Sequence, residues 1–151
     1  VTVRVIIDPH MFGESWFVQI RRDLVRSNKV RFAYGGLPKE QIELRKQRAA
    51  LEFFVLMGKM KRRDDAHQAT IERFHDELIS SKAWVSNSGC CDDSHTFSLV
   101  RALPARYVFS KDNRMARCRD CLSGCVDATF LRFSVIGNEL SYARVRAKLV
   151  D

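Results

Sequence analysis

Short apolar runs with strand character alternate along this chain with stretches of helical period, and that alternation narrows the available folds more than any other feature. Val3–Ile7 is rich in β-branched residues and stops at Asp8-Pro9, because proline neither donates to a ladder nor extends one. Trp16, Phe17, Ile20, Leu24 and Val25 then recur at three and four residues, the period of a helix over 15–25. Val30–Tyr34 reads as a second strand, closed by Gly35-Gly36 and Pro38. A long helix is expected over 39–59, with Ala50, Phe54 and Met57 in one stripe. Glu43 falls about two turns before Ala50 and on the same side. A charged loop over 59–65 leads to a helix over 65–80 and a third strand at 83–85. Asp92-Asp93-Ser94 opens the next helix, being residue types that accept hydrogen bonds from a helix's first free amides. Pro104 ends that helix, and 106–110 is a fourth strand. Two alternating runs, 129–136 and 140–145, divided by Gly137-Asn138, are expected to form a hairpin.

Strands alternating with helices predict a three-layer α/β/α sandwich around a central, mostly parallel sheet. The domain is expected to span 1–125, with 126–151 a C-terminal β-hairpin extension packed on it. Hydrophobic residues make up 46% of the chain, enough to close one core and so to exclude a disordered polypeptide. The longest apolar run, 53–58, falls far short of the about 20 residues of a membrane span. No membrane partner is therefore expected. Five cysteines, two of them adjacent at Cys90-Cys91, do not suit a fully paired secreted framework and favour a reducing cytoplasm. The spacing of Cys118, Cys121 and Cys125 is also of a kind that holds zinc, against the plainer reading of buried or incidental thiols.

Parallel sheets bind ligands at the carboxyl ends of their strands. Asp8 and Asp112 stand at two such ends, while Glu43 and Asp93 lie early in helices that follow strands. Four acids from four segments are thus expected at one edge of the sheet. Their mutual repulsion is large: two like charges about 4 Å apart cost roughly 4 kcal/mol at an effective dielectric near 20. A cation offsets that cost even in a chain of formal charge +8. A donor set of oxygens alone selects Mg²⁺ or Mn²⁺.

Asp8 after an apolar strand, Glu43-Leu44 in a helix, Cys91-Asp92-Asp93-Ser94-His95 opening another, and Ser110-Lys111-Asp112 after a strand resemble the PIN-domain ribonucleases. Order and spacing match from Val3 to about Met115. The resemblance implies hydrolysis of RNA phosphodiester bonds to 3′-hydroxyl and 5′-phosphate ends, with Asp8, Glu43, Asp93 and Asp112 as catalytic acids. Asp8, Asp93 and Asp112, with Asp92 beside them, would hold Mg²⁺ or Mn²⁺. It further implies the toxin half of a toxin and antitoxin pair, an antitoxin protein as partner, and a homodimer. The basic run Arg114, Arg117 and Arg119 directly follows Asp112 and would grip RNA through its phosphates. One alternative is a degenerate PIN-like domain that binds RNA or protein without catalysis. Pro9, His10 and the distant Asp120 are the departures that favour it. Another is a phosphatase that forms an aspartyl phosphate, but its Asp-x-Asp pattern is broken by His10.

Overall fold

The computed structural model describes residues 2–87, 91–123 and 128–150. Its elements are β1 (Val3–Ile7), α1 (Phe17–Arg26), β2 (Val30–Tyr34), α2 (Pro38–Arg45), α3 (Arg48–Lys59), β3 (Arg63–Asp65) and α4 (Gln68–Ile79). They continue with α5 (Lys82–Ser86), α6 (Ser94–Ala102), β4 (Tyr107–Phe109), α7 (Met115–Leu122), β5 (Ser134–Ile136) and α8 (Glu139–Leu149), with short 3₁₀ turns at Pro9–Gly13 and Ala128–Leu131. The strands form one sheet in the order β3-β2-β1-β4-β5, and every neighbouring pair is parallel.

Helices cover both faces, and the period-2 geometry of the strands decides which residues meet them. Val5, Ile7, Phe32 and Phe109 point to one side, where they pack with Ile20 and Leu24 of α1, Phe53 and Met57 of α3, and Tyr142 and Leu149 of α8. Ile6, Ala33 and Val108 point to the other, against Ile71 of α4, Phe97 and Val100 of α6, and Met115 and Leu122 of α7. The three-layer α/β/α sandwich is as the sequence indicates. Among the described residues no helix is long and apolar enough to cross a membrane.

Four local expectations are corrected. The helix expected over 39–59 is two helices, broken at Lys46-Gln47, where Gln47 takes extended backbone angles. The charged loop after α3 contains β3, an edge strand that shows no apolar alternation because ion pairs hold it. Asp64 accepts from Arg4 at 3.0 Å and from Arg31 at 2.6 Å, and Arg63 lies 4.3 Å above the Tyr34 ring. Residues 83–85 are helical rather than extended, since the Ser81 side chain caps the amide of Trp84.

The C-terminal hairpin is absent. Its first run is a 3₁₀ turn followed by β5, which pairs parallel to β4, and its second is α8. Asn138, a residue suited equally to a turn and to a helix cap, forms a capping box with Ser141 and so starts a helix. Tyr142 and Arg146 of α8 then reach Asp23 of α1.

Candidate metal centre

In the sheet, β2 and β3 lie on one side of β1 while β4 and β5 lie on the other. The crevice above the carboxyl ends of β1 and β4 is therefore the switch point where parallel sheets take ligands. Asp8 leaves β1 there. Its amide still bonds to the Phe109 carbonyl at 2.9 Å, and Pro9 then forces the chain out of the ladder. One carboxylate oxygen of Asp8 accepts from the His10 amide at 3.0 Å, and the other faces the Ser110 hydroxyl at 3.4 Å. Ser110 is buried and accepts from the Asp112 amide at 3.1 Å, so a single hydroxyl ties together the exits of both strands.

Asp93 comes from the opposite direction, at the start of α6. A helix-opening Asp ordinarily spends its carboxylate on the first free amides, but this one makes no side-chain capping bond. Its Oδ2 is buried and without a hydrogen-bond partner. Asp92, Asp93 and Asp112 each present an oxygen within 4.8 Å of the others, a group that could hold a metal ion. Burial, first, and then the neighbouring Asp112, Asp92 and Asp8 push Asp93 up to about 8. Proximity to a helix N-terminus, worth typically 0.3–1 kcal/mol in favour of the anion, is too small to reverse that shift. Asp112 moves the opposite way, held below the usual carboxylate range by the adjacent Asp93 side chain first and then by the amide and guanidinium of Arg114. The pair thus favours the protonated form at Asp93 and the anion at Asp112.

The structure brings Asp92, Asp93 and Asp112 together, with Asp8 near enough to act on Asp93 through its charge. Glu43 is placed elsewhere. It is exposed and paired with Lys46 at 3.1 Å. Glu40, on the same helix, is the acid turned toward His95 of α6. Its Oε1 lies 3.7 Å from Nδ1 of His95, and its Oε2 is buried and without a partner. Burial lowers the pKa of His95, although Glu40 and Asp8 pull it upward. The seven-residue spacing from Glu43 to Ala50 assumed one continuous helix, and the break at Lys46-Gln47 removes that phase relation. Glu40 carried one usable signal, its place in the first turn after Pro38.

The three arginines separate by role. Arg114 bonds to Asp92 and approaches Asp112 at 3.5 Å, so it neutralises part of the cluster. Arg117 is exposed. Arg119 turns inward, donating to the Phe133 carbonyl at 2.5 Å and pairing with Asp120 at 3.1 Å, which makes it a structural tie.

The cysteines also depart from expectation. Cys91 and Cys118 form a disulfide, so they are not free thiols, and Cys118 has no thiolate to offer zinc. Cys121 is free and exposed, while Cys90 and Cys125 lie outside the described residues. No family model, curated protein or solved structure matches the chain.

Proposed function

We propose that the chain is a Mg²⁺- or Mn²⁺-dependent endoribonuclease of the PIN-like kind that its sequence resembles. The observation that carries this reading is the meeting of Asp93 and Asp112 at the switch point of the sheet, with Asp93 Oδ2 buried and unpartnered. A buried carboxylate oxygen left without a donor is costly, and keeping a proton or taking a cation relieves that cost. The donors are all carboxylate oxygens, which fits a hard divalent ion.

A cation held there supplies an activated water and offsets charge on the scissile phosphodiester. The chain's own residues do the rest. Asp93 and Asp112 would be the ion's principal ligands and Asp92 a third, and Asp93 would hold the proton that a bound ion displaces. The Ser110 hydroxyl fixes Asp8 relative to Asp112, so the strand exits keep their spacing. Arg114 prevents the cluster from carrying its full negative charge and stands ready to receive a backbone phosphate, with exposed Arg117 beyond it.

Cleavage of a single-stranded RNA by the purified chain tests the proposal. Activity should vanish with EDTA and return with Mn²⁺. Asp93→Asn and Asp112→Asn should each abolish it while leaving the far-UV circular dichroism unchanged. RNA cleavage that persists in EDTA, or in the two folded variants, would refute it.

A further inference from the structure

We infer that the Cys91–Cys118 disulfide is a reversible redox-modification site whose state sets the cation affinity of the acid cluster. The inference rests on the metal reading above. The cluster is assembled from two segments remote in sequence, the approach to α6, which carries Asp92 and Asp93, and the link from β4 to α7, which carries Asp112 and Arg114. The disulfide joins these two segments. Cys91 immediately precedes Asp92, and Cys118 lies one helical turn after Arg114, to whose carbonyl its amide donates at 2.9 Å. Its Cα atoms are 5.2 Å apart, and both cysteines are buried in the core formed with Phe97, Met115 and Leu122.

Besides their packing in that shared core, the two acid-bearing segments are joined by the disulfide and by the pairing of Arg114 with Asp92, whose side chains are about half exposed at 52% and 54%. An exposed ion pair is screened by salt and orders its partners weakly. The like charges of Asp92 and Asp112 oppose the close approach of the segments. The disulfide is therefore the covalent part of what keeps the approach to α6 registered against α7, at the point where it adjoins the acids.

The chemistry is thiol–disulfide exchange with a dithiol reductant. Its thiolate attacks one cysteine Sγ, forming a mixed disulfide and releasing the other cysteine as a thiolate that takes up a proton. The reductant's second thiol then attacks the mixed disulfide, leaves as the reductant's own disulfide and frees the second cysteine. Two electrons and two protons pass to the protein. An oxidised dithiol of the same class reverses the step. Burial of both sulfur atoms means that exchange requires local opening of these segments, which makes the modification slow unless a partner promotes it.

The test measures Mn²⁺ affinity of the full chain by electron paramagnetic resonance of the free ion. Oxidised protein is compared with protein reduced by dithiothreitol and desalted without oxygen. Mass spectrometry of the Cys91 and Cys118 peptides reports the thiol state. Reduction should weaken Mn²⁺ binding at least about tenfold, inside the about 5- to 150-fold range usual for coupled sites, and reoxidation should restore it. Cys118→Ala should bind like reduced wild type and ignore the reductant, whereas Cys121→Ser should behave as wild type. Amide exchange should quicken around residues 91–93 and 112–118 while β1, β2 and β4 stay protected. Equal Mn²⁺ affinity in both verified thiol states overturns the coupling and leaves the metal reading standing. Failure of both states to bind Mn²⁺ overturns both readings. Loss of protection throughout the sheet on reduction overturns the local coupling in favour of global unfolding.

Discussion

Proton and metal compete for Asp93, and the competition has a calculable size. Asp93 is pushed up to about 8, whereas its partner Asp112 is already ionised well below neutrality. Each cation bound below pH 8 must displace one proton. The apparent affinity should then fall about tenfold for every pH unit below 8 and level off above it. Between pH 9 and pH 6 the loss is about a hundredfold, or roughly 2.7 kcal/mol at 1.36 kcal/mol per tenfold. Titration calorimetry with Mn²⁺ in two buffers of different ionisation enthalpy measures both the affinity and the protons released. Release should approach one proton near pH 6.5 and fall toward zero above pH 9. Asp93→Asn should bind more weakly at high pH and lose the dependence. An affinity that stays flat from pH 6 to pH 9, with no proton release, would refute the reasoning about this pair.

Stability follows from the same shift with the opposite sign. The folded pKa of Asp93 exceeds its unfolded value near 3.9, so the folded chain binds the extra proton and its contribution is lost as pH rises through about 8. Burial shifts His95 downward, against the pull of Glu40 and Asp8. Thermal melting without metal should therefore fall progressively as pH rises from about 5 toward about 8 and level off above it, and Asp93→Asn should remove that part of the fall. Glu40→Gln should weaken Mn²⁺ binding or RNA cleavage, whereas Glu43→Gln should change neither and should shift denaturant stability by less than about 0.5 kcal/mol. Arg117→Ala should weaken RNA binding across sequences and reduce the slope of log affinity against log salt by about one. Arg119→Ala should leave that slope alone and lower stability by about 1 kcal/mol or more, because it strands the Phe133 carbonyl; denaturant unfolding checks it.

Residues whose neighbours in sequence decide their conformation were the ones the sequence made legible. β1 ends at Asp8 because Pro9 follows, and α6 begins at Asp93 because Ser94 and the apolar residues after it continue in helical phase. Local sequence alone thus places both acids at the carboxyl edge. Features fixed by distant contacts were hidden. β3 depends on Arg4 and Arg31 reaching Asp64, and the orientation of Glu40 over Glu43 depends on a break in helix phase at Gln47. Asn138 shows a different obstacle, since one residue type serves two local structures and only Ser141 decides between them. The pairing of Cys91 with Cys118 spans 27 residues of sequence and two helices, and a count of cysteines carries no information about it.

Anomalous diffraction from a crystal of the chain soaked in Mn²⁺ at pH 8.5 addresses the central claim with least interpretation. A peak within coordination distance of both Asp93 and Asp112 carboxylates, lost in Asp93→Asn, is the predicted result. Well-ordered side chains at these positions with no manganese between them would contradict the account.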